Sequence, residues 1–122
     1  MEAIKLFDSE LKVMEIIWDK EPISAKEISI ILGDTVGWNK NTTYTIIKKL
    51  IDKNIIERAE PNFICTAKLK REQVQRAETV SLIEKLYQGS RKAFFAAFLQ
   101  NEELSKEELE ELRKLIDQQE KK

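Results

Sequence analysis

Between residues 39 and 67 the chain changes its hydrophobic period, and that change constrains the architecture more than any other feature. From Asn39 to about Lys53 the apolar side recurs at Thr43, Ile46, Ile47 and Leu50, the three- and four-residue steps of one helix face. The opposite side carries Asn41, Tyr44, Thr45 and Lys48 at i, i+3, i+4 and i+7, a polar stripe as continuous as the apolar one. After Asn54, residues 55–58 and 63–67 are short β-prone runs around Ala59-Glu60-Pro61-Asn62, which reads as a hairpin. A helix wet on one side and followed at once by a hairpin needs bracing on its dry side from earlier in the chain.

Two earlier helices supply that brace. The first spans about 9–19, where Asp8 or Ser9 can accept from first-turn amides and Leu11, Met14, Ile17 and Trp18 make one apolar face. Glu21-Pro22 ends it. Ser24-Ala25-Lys26-Glu27 reads as a capping box, opening a short helix that turns Ile28, Ile31 and Leu32 inward and stops at Gly33. Trp18 and Trp38 are expected as core anchors, and Cys65, inside an apolar strand run, as a small buried hydrophobe.

From about Leu69 the chain is helical again. Val74, Ala77, Ser81, Leu82, Leu86 and Tyr87 share a face up to Gly89, a suitable C′ residue. Ser90 can cap a helix running to Leu99 that is apolar almost all round. Ser105-Lys106-Glu107-Glu108 is a second capping box, with Leu104 and Leu109 placed as a hydrophobic staple and Leu112, Leu115 and Ile116 continuing the face. The expected order is three helices, a two-stranded hairpin and three more helices. That is a mainly α fold with a small β-hairpin: a winged helix-turn-helix domain over 1–70 and a three-helix dimerisation domain over 71–122.

Composition excludes most chemistry. The 122 residues contain no His and one Cys, which removes His-based triads, His-ligated metals, Cys-rich zinc sites and an intramolecular disulfide. No enzyme, metal or cofactor role is expected. No apolar run approaches 18 residues, and the opening Met1-Glu2-Ala3-Ile4-Lys5 is not the head of a signal peptide, so a cytoplasmic chain without membrane contact is expected. The net charge of −1 hides an uneven distribution. Residues 1–30 hold four Lys against seven acids, and 76–122 hold nine basic residues against ten acids. Residues 31–75 hold eight basic residues against five, a local positive footprint around the two-sided helix.

Three short helices followed by a hairpin is the chain order of a winged helix-turn-helix, in which two helices brace a third that enters the major groove. On the helix from Asn39, residues Asn41, Thr42, Tyr44 and Thr45 are candidates for base edges, and Lys40, Lys48 and Lys49 for phosphates. Arg58, at the hairpin edge, is a candidate for a neighbouring phosphate or the minor groove. Tyr44 can face the DNA or cover the apolar side near Trp38. The bland alternatives are an ordinary solvated helix face, or a winged-helix module that grips another protein. In the second half, about fifty residues cannot easily bury Leu82, Leu86, Phe94, Phe95, Phe98, Leu99, Leu109, Leu112, Leu115 and Ile116 among themselves. A second copy of the chain would cover them, as would folding back onto the first half.

Three stretches resemble the penicillinase and methicillin-resistance repressors, the BlaI/MecI family. Ser9-Glu10-Leu11-Lys12-Val13-Met14-Glu15-Ile16-Ile17-Trp18 is similar to that family's opening helix. Trp38-Asn39-Lys40-Asn41-Thr42-Thr43-Tyr44-Thr45-Ile46-Ile47-Lys48-Lys49-Leu50 is similar to its recognition helix, and Leu104-Ser105-Lys106-Glu107-Glu108-Leu109-Glu110-Glu111-Leu112 to its final dimerisation helix. The resemblance runs nearly end to end. It implies a homodimeric repressor on a dyad-symmetric operator of double-stranded DNA, with antibiotic resistance as the family's best-known setting. It also implies relief by a sensor-linked protease, whose bond would fall by spacing at Ala97-Phe98, where the Phe is kept and the family's Asn is replaced. Copper-responsive relatives carry a Cys-rich tail, which residues 117–122 lack. The wing departs as well, with Glu60-Pro61 in place of a more basic, glycine-containing turn.

Overall fold

The computed structural model describes residues 4–122, so the expectation for the chain's first three residues lies outside it. In chain order the elements are α1 (Asp8–Lys20), β1 (Ile23–Ser24), α2 (Ala25–Thr35), α3 (Lys40–Asp52), β2 (Ile56–Ala59), β3 (Ile64–Ala67), α4 (Arg71–Tyr87), α5 (Arg91–Asn101) and α6 (Lys106–Glu120). They form two compact units, Met1–Thr79 and Val80–Lys122. The boundary expected at residue 70 falls just before α4, and the division falls within that helix.

The sheet has three strands where a two-stranded hairpin was expected. β3 is central, with β1 and β2 antiparallel on either side, and Cys65 pairs with Ile23 in β1 and Arg58 in β2. β1 is only two residues long, too short for any periodic signal, and it exists because β3 offers it a ladder. Ser24 ends that strand and caps α2, its hydroxyl oxygen accepting from the Glu27 N–H at 3.1 Å. The reciprocal Glu27 bond of the expected capping box is not among those formed.

Two helix limits also differ from expectation. α1 begins one residue early, with Phe7 at the N-cap position; the Phe7 N–H donates to Glu10 Oε1 at 2.9 Å, and neither Asp8 nor Ser9 is the cap. α2 passes through Gly33 to Thr35. The left-handed residue that turns the chain is Gly37 at φ 79°, where a side chain would be strained. α3 starts where expected, with Asn39 as its N-cap.

The core of the first unit lies between α1, α2, α3 and the sheet. Met14, Ile17, Ile28, Ile47, Leu50 and Ile56 are fully buried there, each stabilising by roughly 1.5–3 kcal/mol through loss of apolar surface from water. Trp18 and Trp38 pack against this core, and the Trp18 indole N–H donates to the Leu69 carbonyl at 2.9 Å. Cys65 is buried, and burial pushes its thiol up to about 11, so it stays protonated and inert near neutral pH.

One charge is buried with them. The Glu10 carboxylate accepts from Lys53 Nζ at 2.8–2.9 Å as well as from Phe7 N–H, so the first turn of α1 grips the residue that ends α3. An unpaired carboxylate at that depth would be costly. The pair ties α1 to the end of α3, where Asn54 at φ 66° turns the chain and its N–H donates to the Ile51 carbonyl at 2.9 Å.

Within the second unit, Ser90 caps α5 through the Ala93 N–H at 3.1 Å. Ser105 and Glu108 make both bonds of the expected capping box on α6, at 3.1 and 3.3 Å. α4 closes with Gln88 and Gly89 both at positive φ, and the Gly89 N–H donates to the Ile83 carbonyl. No described helix is long and apolar enough to cross a membrane.

Candidate nucleic-acid interface

α3 is held so that its two sides do different work. Its N-cap Asn39 accepts from the Thr42 N–H at 2.8 Å, satisfying a first-turn donor. Thr43, Ile46, Ile47 and Leu50 are buried, while Lys40, Asn41, Thr42, Thr45, Lys48 and Lys49 are exposed. The Thr45 hydroxyl donates to the Asn41 carbonyl at 2.8 Å, which leaves its lone pairs and the whole Asn41 amide facing solvent. Along its thirteen residues the helix carries three lysines and one carboxylate, Asp52, at its last position.

Tyr44 lies at the seam between α3 and the hairpin. It is half-buried and meets Phe63 edge-on, with ring centroids 5.8 Å apart at 79°. Lys40 Nζ stands 5.5 Å from the Tyr44 ring, and the Arg58 guanidinium 3.6 Å from the Phe63 ring. Lys40, Tyr44, Phe63 and Arg58 therefore form one row from helix to wing, joined by edge-on aromatic and cation–π contacts. The open question about Tyr44 resolves at this seam, with its ring against Phe63. Nothing in the sequence signals the Phe63 contact, because the two rings are nineteen positions apart and only the folded turn joins them.

The turn itself is fixed at several points. Asn62 and Phe63 take positive φ, and the Phe63 carbonyl accepts from the Ala25 N–H at 2.9 Å, tying the wing to the start of α2. Glu60 receives Arg58 Nε on Oε1 at 2.7 Å and the Phe63 N–H on Oε2 at 3.1 Å. The Phe63 amide first, and then Arg58, hold the Glu60 carboxyl below the ordinary carboxylate range.

The remaining cations of the basic middle divide sharply. Lys53 is paired with Glu10, Arg58 with Glu60, and Arg71 with both Glu15 at 2.9 Å and Asp19 at 2.8 Å. Lys40, Lys48 and Lys49 make no ion pair among the described residues. Lys68, whose ammonium donates to Asn54 Oδ1 at 2.7 Å, and Lys70 are also exposed and without an ion pair among those residues, so the positive charge available to an outside anion lies on the open side of α3 and on the segment that leads into α4.

In the second unit the sequence-predicted apolar residues are open. Leu82, Leu86, Phe95, Phe98, Leu99, Leu112, Leu115 and Ile116 are exposed, Phe98 to 49% and Ile116 to 61%, while Phe94 and Leu109 are half-buried. Phe94 gathers its neighbours, meeting Tyr87 edge-on at 5.6 Å and lying 5.2 Å from Phe95 and 6.3 Å from Phe98. The Ala97-Phe98 bond sits inside α5, and the Ala97 carbonyl also accepts from Asn101 Nδ2 at 2.7 Å.

Comparison with known proteins agrees with this geometry. The first unit's fold is that of a BlaI DNA-binding domain determined in solution, at a TM-score of 0.54 and 26% identity over 59% of this chain and 90% of that one. It is equally similar to Bacillus licheniformis BlaI in its monomeric form in complex with the blaP half-operator, at a TM-score of 0.53 and 26% identity over the same shares. Across 93% of this chain and 91% of its own length, the penicillinase repressor of Staphylococcus aureus is 31% identical. The methicillin resistance regulatory protein MecI of Staphylococcus aureus strain N315 is 29% identical over 92% of this chain and 93% of its own. The family model of the penicillinase repressors matches residues 6–118, and the chain belongs to that family.

Proposed function

We propose that the chain is a transcriptional repressor that inserts α3 into the major groove of double-stranded DNA and occludes a dyad-symmetric operator as a homodimer. The observation that carries this reading is the two-sidedness of α3: four buried residues behind, and in front a solvent-facing row of amide, hydroxyl and ammonium groups, with a single carboxylate, Asp52, at its far end. Asn41, Thr42 and Thr45 meet base edges or thymine methyls. Lys40, Lys48 and Lys49 meet phosphates, which set affinity and register. Tyr44 sits at the edge of the groove, braced by Phe63.

The uncovered faces of α4, α5 and α6 support self-association. Large exposed aromatic and aliphatic side chains in one small unit are an interface composition, and a second copy is the occupant that also gives twofold symmetry. Two recognition helices then address half-sites whose centres are separated by about 10–21 base pairs, one or two turns of duplex. If a protease relieves the repression at Ala97-Phe98, it must first unwind α5, since the bond is helical and its carbonyl is doubly engaged.

Titration of a fluorescent random-sequence duplex across a salt series tests the DNA reading. The observed constant should fall with salt at about −0.9 per phosphate contacted. Lys48→Ala combined with Lys49→Ala should flatten that slope by about 1.8 per chain and weaken binding to all duplexes alike. A changed sequence preference at an unchanged slope would show that these lysines do not contact phosphate.

A further inference from the structure

The wing carries a guanidinium that its own turn has already claimed. Arg58 is fixed at three points: its plane lies 3.6 Å from the Phe63 ring, its Nε donates to Glu60 at 2.7 Å, and its Nη2 closes on the same carboxylate. Glu60 is anchored independently by the Phe63 N–H. Nε and Nη2 form the fork with which arginine receives a phosphate, so a carboxylate seated there occupies the donors a DNA backbone would use. The charge of the segment points the same way. Residues 56–67 hold Glu57, Arg58 and Glu60 and no other ionisable charge, so with Arg58 neutralised the wing repels a polyanion.

We infer that Glu60 is an affinity-setting residue that keeps the wing off the DNA: it clamps Arg58 in an internal ion pair and leaves α3 as the sole source of phosphate contacts in the first unit's DNA-facing row. This rests on the DNA-binding reading above. The row from Lys40 through Tyr44 and Phe63 to Arg58 places the clamped guanidinium beside the groove-entering helix, close enough to add a contact once released. The carboxylate is thus a built-in competitor. It withholds one guanidinium from non-specific binding and leaves that to the unpaired lysines.

The test is a salt series on the full chain with the same random-sequence duplex, comparing four proteins. Glu60→Gln should steepen the slope by about 0.9 per chain, so that its gain in affinity shrinks about 3.5-fold between 50 and 200 mM salt. Arg58→Gln with Glu60→Gln, which keeps a polar stem over Phe63, should return the slope to that of the parent chain. Glu57→Gln removes a charge from the same strand without freeing a guanidinium, so it should gain less than Glu60→Gln. Equal gains from Glu57→Gln and Glu60→Gln would reduce the effect to net charge and overturn the clamp. A double variant flatter than the parent by about 0.9 would overturn it too, by showing that Arg58 already holds a phosphate in the parent. If the parent binds the duplex and these outcomes fail, only the clamp is lost. If the parent does not bind at all, the DNA reading falls and takes the clamp with it.

Discussion

The first unit buries most of its apolar residues, leaving Phe7, Ile30 and Val36 exposed, whereas the second leaves most of its large apolar side chains open to solvent. In the first, every inward position of α3 is buried, and three lysines without an ion pair stand on its open side. In the second, Ile83 is the only fully covered side chain from Val80 onward, and phenylalanines and leucines stand in water. The difference supports the two roles proposed for these surfaces. A domain that completes its own core is free to offer hydrogen bonds to a polar ligand. One that leaves aromatic surface bare gains stability only by covering it with protein.

That contrast is broken most forcefully by cutting into each half. Leu50→Ala removes a wholly buried side chain beneath α3 and should cost roughly 2–5 kcal/mol, read as a lower urea midpoint for the first unit. Leu115→Ala touches a residue 58% exposed in the single chain, where such a change would shift stability by no more than about 0.5 kcal/mol. If the proposed dimer covers that residue, the loss should exceed this figure and depend on protein concentration. A small, concentration-independent effect would mean that the α6 face meets nothing.

Phe98→Asp comes next. A carboxylate forced into a dry interface should raise the self-dissociation constant by about a hundredfold or more, roughly 3 kcal/mol, and sedimentation should show monomers. An intact dimer would remove α5 from the contact.

Much of this division is legible in the sequence because it is written in local periods. The two stripes of α3, its Asn39 cap, the Ser105 box and the crowded phenylalanines of α5 all depend on residues within four positions of each other. What stays hidden depends on distance along the chain. β1 has two residues and needs β3 forty positions later. Glu10 is unremarkable in α1 until Lys53, forty-three residues on, meets it in the core. Gly33 reads as a stop, yet α2 continues through it, since helix packing outweighs a local cost of about 1 kcal/mol. Arg58 lies on β2 and Glu60 two positions on, in the turn just past its end, so the two are near enough in sequence for their opposite charges to suggest a pair. The role of Phe63 is not legible there, because only the turn brings its ring to Tyr44.

The smallest expected effect sharpens the first unit's electrostatics. The Glu60 carboxyl titrates below its ordinary range, so what it adds to stability is present above that range and is lost as pH falls through the lowered value. An NMR titration should show Glu60 protonating below the ordinary glutamate value. With Arg58→Gln the midpoint should rise partway and not fully, because the Phe63 N–H still binds the carboxylate. A full return to the ordinary value would assign the whole effect to the guanidinium.

The central claim is that the open stripe of α3 is the surface that reads DNA, and amide chemical shifts measured on adding a random-sequence duplex at low salt test it most directly. The largest perturbations should fall at Asn41, Thr42, Tyr44, Thr45 and Lys48, with the uncovered faces of α5 and α6 unmoved. Shifts gathered on those faces, with the amides of α3 left in place, would contradict it.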